Sequence, residues 1–165
     1  MKHILAVLVL NKPGVLARIS GLLSRRVFNI ESIAASSTEE PDITRITIVV
    51  QGDDQILDQV VKQLNKLVDV IKIQELPWGG ESIERELALI KVNARTNRLS
   101  EIVDVVNIFR ANIVDVNRET VVIELTGDEQ KVTALCAVLE EHGIIEVVRT
   151  GIIAMSRSPK PIKEP

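Results

Sequence analysis

Ile4 to Leu10 is an unbroken apolar run that stops at Asn11-Lys12-Pro13-Gly14. A run this short predicts a strand buried on both faces rather than a helix. Beyond it, Val15, Leu16, Ile19, Leu22, Leu23 and Val27 recur at helical spacing, separated by Arg18, Ser20, Ser24 and Arg25. Asn29 to Ser37 reads as a second strand of imperfect alternation, and Thr38 to Asp42, with Pro41, as a hairpin loop. Thr44, Ile46, Ile48 and Val50 alternate with Arg45 and Thr47 in a third strand. Gly52-Asp53-Asp54 supplies a turn and a helix N-cap, after which Ile56, Leu57, Val60, Val61, Leu64 and Leu67 mark a second amphipathic helix. Val68 to Leu76 completes the order β-α-β-β-α-β.

Pro77-Trp78-Gly79-Gly80 breaks every periodicity and reads as a linker. The pattern then returns. Leu87 to Val92 is apolar like Ile4 to Leu10, and Asn97 is placed to cap a helix carrying Leu99, Ile102, Val103, Val106 and Phe109. Asn112-Ile113 echoes Asn29-Ile30 at an offset of 83, and Gly127-Asp128-Glu129 echoes Gly52-Asp53-Asp54 at an offset of 75. The difference of 8 fits a shorter central hairpin in the second half. Val132, Leu135, Cys136 and Leu139 mark a second helix closed by Gly143, and Ile144 to Met155 reads as the last strand.

The fold class expected is α+β, built from tandem ferredoxin-like βαββαβ units. Residues 1–76 form the first, 77–83 a linker, 84–156 the second, and the proline-rich 157–165 a disordered tail. Such a unit covers one sheet face with two helices. The other face and the edge strands then need burial by a second unit or a second chain, which predicts a dimer.

Composition narrows the chemistry. Aromatic residues make up 2% of the chain (Phe28, Phe109 and Trp78), so no platform exists for stacking bases. A net charge of −3 argues against a nucleic-acid partner. The apolar N-terminal run lacks a small-residue cleavage site, and nothing approaches the ~18 apolar residues of a membrane span; the chain reads as a cytoplasmic protein with no membrane partner. The lone Cys136 excludes an intramolecular disulfide and a multi-cysteine zinc site. It reads as packed core without a base. His142 suits a helix C-terminus, and His3 has no neighbouring ligand at metal-binding spacing. Neither a Walker-type loop nor a GxGxxG fingerprint is present. The two Gly-Asp-acid stretches read as caps, and Glu39-Glu40-Pro41-Asp42 and Glu81 to Glu86 as solvated charge. No catalytic residue and no metal site is expected.

The loop Asn11-Lys12-Pro13-Gly14-Val15-Leu16 is the informative stretch. Pro13 suits a helix start, and Gly14 admits close approach of a ligand to the backbone. The free N–H groups that follow form an anion site fit for a carboxylate. Asn11 supplies an amide, and Val15 and Leu16 apolar contact. The loop thus holds what an apolar α-amino acid requires, although an ordinary strand-to-helix turn would look the same by spacing alone.

Asn11-x-x-Gly14-Val15-Leu16, a helix, and then Phe28-Asn29-Ile30-Glu31-Ser32 resembles the opening of an ACT domain, a small-molecule-sensing module. Arg26 to Ile33, Thr44 to Ile48, Gln63 to Val70, Glu84 to Val92, Ile108-Phe109-Arg110-Ala111 and Val114-Asp115-Val116 resemble, in that order, the regulatory (small) subunit of acetolactate synthase, also called acetohydroxyacid synthase. The resemblance spans nearly the whole chain. It implies a non-catalytic subunit that joins a large catalytic subunit condensing two pyruvates to 2-acetolactate with loss of CO2, or pyruvate with 2-oxobutanoate. The small subunit would activate that partner and confer feedback inhibition by valine in branched-chain amino acid (valine, isoleucine and leucine) biosynthesis. No cofactor is implied for this chain; thiamine diphosphate, Mg and FAD would belong to the catalytic subunit. The implied effector site lies between two ACT domains of a homodimer, where Asn11, Gly14, Val15 and Leu16 of one chain face Asn29 and Ile30 of the other. The competing readings are a free-standing ACT-repeat sensor acting on another enzyme or on transcription, and a small ferredoxin-like enzyme, for which no acid/base pair is found.

Overall fold

In a computed structural model, which describes residues 1–25, 28–78, 80–94 and 98–162, the opening apolar run becomes β1 (Lys2–Leu10). There follow α1 (Val15–Arg25), β2 (Asn29–Ser37), β3 (Ile43–Gln51), α2 (Asp54–Leu64) and β4 (Val70–Leu76). The strands pair antiparallel in the order β2-β3-β1-β4. Alternation sends Leu5, Val7 and Val9 of β1, with Ile46, Ile48 and Val50 of β3, to the helix-bearing face. There they meet Val15, Ile19 and Leu23 of α1 and Leu57, Val60 and Leu64 of α2, spaced three and four residues apart. Asp53 caps α2 as its sequence position predicts, its Oδ1 accepting from the Ile56 N–H at 2.9 Å.

The second unit repeats this order with β5 (Ser82–Asn93), α3 (Leu99–Ile108), β6 (Asn112–Val116), β7 (Thr120–Gly127), α4 (Glu129–Leu139) and β8 (Ile144–Arg149). Its strands run β6-β7-β5-β8, so the chain is α+β with tandem ferredoxin-like units. Asp128 caps α4 through the Lys131 N–H at 2.8 Å. After one 3-10 turn at Glu140–His142, Gly143 closes the helix with φ +81°, a left-handed conformation that favours glycine. The shorter central hairpin is present: β6 has 5 residues where β2 has 9. Arg149 donates to the buried Glu86 carboxylate, which raises the guanidinium's pKa above its ordinary value.

Several expectations change. Leu67 and Val68 leave the regular elements for the turn into β4, and Val68 is 93% exposed. Leu16 lies off the core stripe. The last strand of the second sheet does not run from Ile144 to Met155, because β8 ends at Arg149. After Gly151, at φ +80°, the chain joins the first unit, where β9 (Ile153–Ser156) lies. One compact unit is therefore Met1–Glu84 with the chain from Ile152 onward, and the other is Arg85–Gly151. Ile152 and Ala154 pack with Ile4, Ala6, Val49 and Leu76 on the sheet face opposite the helices, and Ile162, from the segment expected to be a disordered tail, packs against them. The second covered face of β1 thus comes in part from the chain's own later residues. Val27 and Asn97 lie outside the described residues, and Arg98, the residue before α3, makes no side-chain cap.

Candidate functional site

Between β1 and α1 the chain must turn from the sheet onto its helix face within four residues. Gly14 makes the turn at φ +82°, a conformation costly for other residues. A Cβ at this position would lie 3.2 Å from Arg18 Nη1. The Gly14 carbonyl accepts from the Arg18 N–H at 3.0 Å, so Gly14 is the last residue before the helix and Pro13 sits two positions ahead of the first helical residue, the place expected for it. Glycine offers no capping oxygen, and the first helical N–H groups have no acceptor within the helix. The positive end of the helix dipole adds to them. The local chemistry suits a carboxylate.

Asn11 is exposed, its N–H donating to the Asp42 carbonyl at 2.7 Å and its Nδ2 to the Pro41 carbonyl at 3.0 Å. These bonds to the β2–β3 loop fix the amide and leave Oδ1 as an acceptor. Val15 and Leu16 separate in role. Val15 is 4% exposed and faces the core, and its N–H donates to the Lys12 carbonyl at 3.4 Å, so it brings no apolar contact to the site; Leu16, 48% exposed, keeps an accessible aliphatic side chain.

Asn29 and Ile30 stand elsewhere. Asn29 opens β2 opposite Gln51, which in turn lies opposite Lys2, whereas Asn11 follows Leu10, opposite Ile43. At ~3.4 Å per residue the two asparagines are about 31 Å apart along the strands, at opposite ends of one sheet. Asn29 Nδ2 donates to Gln51 Oε1 at 3.1 Å, and Ile30 packs partly against the helix-side core. The protomer therefore does not bring the six predicted residues together. It gathers Asn11, Gly14, Val15 and Leu16 at one end and Asn29 and Ile30 at the other.

Two neighbours escape a reading of the sequence. Arg18, one turn into α1, donates through Nη2 at 2.6 Å and Nε at 3.1 Å to Asp69 Oδ2, and the Asp69 carbonyl accepts from the Leu10 N–H at 2.9 Å. Asp69 is nearly buried, so it fastens the start of α1 to the β4 approach. The four-residue step from Gly14 to Arg18 was visible; the partner 51 residues away depends on strand register. His3 likewise meets Glu75, with Nδ1 3.1 Å from Oε1. Among the described residues, no group of three or more His, Cys, Asp or Glu side chains is gathered as a metal ion would require, and no helix is long and apolar enough to cross a membrane.

A ferredoxin-like unit whose first helix opens on such a loop defines an ACT-type module, here followed by a second unit of the same topology. Residues 5–72 match the AHAS small subunit-like ACT domain, and residues 85–158 match the family described as small subunit of acetolactate synthase. A probable acetolactate synthase small subunit from Archaeoglobus fulgidus is 54% identical over 160 residues, covering 97% of this chain and 99% of the relative. The acetolactate synthase small subunit of Mycolicibacterium smegmatis is 51% identical over 160 residues, covering 97% and 94%. The crystal structure of the acetolactate synthase small subunit from Thermotoga maritima superposes with a TM-score of 0.91 at 42% identity, covering 97% of this chain and 99% of that one. The chain belongs to the acetolactate synthase small-subunit family.

Proposed function

We propose that this protein is the regulatory subunit of acetolactate synthase, non-catalytic by itself, and that it senses valine at the seam between two copies of its first unit. The supporting observation is the opposed placement of Asn11–Leu16 and Asn29–Ile30 on one sheet. β2 is an edge strand of that sheet. Two β2 edges paired antiparallel about a two-fold axis would bring the Asn29 end of one copy to the Asn11 end of the other, twice over. The effector's carboxylate would rest on the N–H groups at the start of α1. Asn11 and the partner copy's Asn29 would orient its polar head, and Leu16, with Ile30 behind, would select an aliphatic side chain.

Binding at such a seam acts on the packing of the pair. Differential affinity for two arrangements is what feedback inhibition requires, and a coupling of about 1–3 kcal/mol gives a 5- to 150-fold effect. In this reading the large subunit holds thiamine diphosphate, Mg and FAD and carries out the condensation of pyruvate; the present chain activates it and brings valine control. Gly14→Asp tests the placement. An aspartate there is strained, is drawn to Arg18, and puts a carboxylate where the effector's would lie. Reconstituted with its large subunit, the variant should still raise activity but lose inhibition across a valine titration. Inhibition equal to the parent's would refute the site.

A further inference from the structure

The segment that rejoins the first unit after Gly151 does more than fill its apolar face. The Ile152 N–H donates to Ser32 Oγ at 3.0 Å, and Arg45 Nη2 donates to the Ala154 carbonyl at 2.6 Å. Ser32 is the first paired residue after a register shift in β2, two positions beyond Ile30, and Arg45 lies on β3 opposite Ser36 of β2. The segment is thereby fastened at two points to the β2–β3 hairpin, whose far end carries Asn29 and Ile30. Its apolar side chains are seated independently on the central strands, through Ile4, Ala6 and Val49. The Arg45 guanidinium is half-buried, which lowers its pKa, an effect partly opposed by Glu39. Partly desolvating a guanidinium to reach a backbone carbonyl is a costly addition to a cover that apolar contact already holds. The cost is understandable if the bond must register where the hairpin sits.

We infer that Ser32 and Arg45 are positioning residues that couple the effector end of β2 to the segment Ile152–Ser156, and through it to the chain's second covalent link with the Arg85–Gly151 unit. The inference rests on the valine-sensing reading above. A bulged strand can shift by a fraction of a residue without breaking its ladder, and these two hydrogen bonds make the returning segment follow such a shift. With them removed, the effector would still bind, but its binding would no longer be passed on.

The test compares the parent chain with Arg45→Met and Ser32→Ala, each as the full-length subunit. Valine is titrated calorimetrically into the isolated subunit and, separately, into the enzyme reconstituted with the large subunit. Coupling residues predict valine affinity within about threefold of the parent together with loss of most of the inhibition at saturating valine. Inhibition to the parent's extent in both variants overturns the inference, as does loss of valine binding by the isolated variants, which would make these residues part of the pocket. If Arg45→Met does not fold, Ser32→Ala, which removes one hydroxyl, decides alone. Failure of the parent chain to bind valine would refute the effector reading itself, an outcome distinct from all of these.

Discussion

Along β1 every residue from His3 to Val9 is buried, whereas along β5 buried positions alternate with exposed or half-buried ones. The two strands occupy the same place in the orders β2-β3-β1-β4 and β6-β7-β5-β8, although β5 also pairs β9. In the first sheet, Ile4 and Ala6 are fully buried on the face opposite the helices, with Ile152, Ala154 and Ile162 among the residues packed on that face. In the second, Leu89 points away from the helices and is 37% exposed, and its neighbour Val148 on β8 is 53% exposed. One topology therefore accepts either a one-sided or a two-sided core. The returning segment supplies part of the cover that makes the first core two-sided, because burial of apolar area has no directional requirement.

The strongest way to break this comparison is to truncate an equivalent side chain in each sheet. Ile4→Ala should cost about 2–5 kcal/mol, since the cavity is closed on both sides. Leu89→Ala should stay near the about 0.5 kcal/mol of a surface change. Urea unfolding of both variants checks this, and equal losses would mean that the second sheet's outer face is covered in solution. Smaller effects sharpen what the two units share. Asp53→Ala and Asp128→Ala should each cost about 1 kcal/mol, because each leaves one N–H at a helix start without its acceptor. A marked inequality in thermal melts would show that only one cap matters to its unit.

The smallest effect concerns Cys136, which stands in α4 where Val61 stands in α2, at the same offset of 75 that relates the two aspartates. Burial is the largest influence on this thiol and raises its pKa, with Arg149 acting in the opposite direction. Less thiolate is then present in the folded protein than in the unfolded chain at pH 8. Iodoacetamide should label the native protein more slowly than the urea-unfolded one, and the gap should narrow as pH rises. Equal rates at pH 8 would contradict a packed role.

Legibility in the sequence followed the range of the interaction. β2 runs from Asn29 to Ser37 as its polar boundaries predict, and both Gly-Asp turns become caps, because each depends on residues within a few positions. Val15 was open to misreading as a ligand contact, yet its spacing with Ile19 and Leu23 already placed it on the core stripe; Leu16 is the accessible one. Ile152 to Met155 has the composition of any buried strand, and nothing local states which sheet it will cover. Arg18 with Asp69, and His3 with Glu75, meet only through strand register, which no short window contains. The candidate site was legible as two fragments, and their placement at opposite ends of the sheet emerged only with the register.

The return of the chain at Ile152 also sets an order of events during synthesis. Every strand and helix of the first sheet has been made once Leu76 leaves the ribosome, but Ile4, Ala6 and Val49 await Ile152, Ala154 and Ile162. At roughly 5–20 residues per second, the nascent polypeptide carries that incomplete greasy surface for about 4 to 17 s. Over this interval, chaperones or a neighbouring nascent copy meet a sticky intermediate, and the earliest-made half of the molecule is among the last to finish folding.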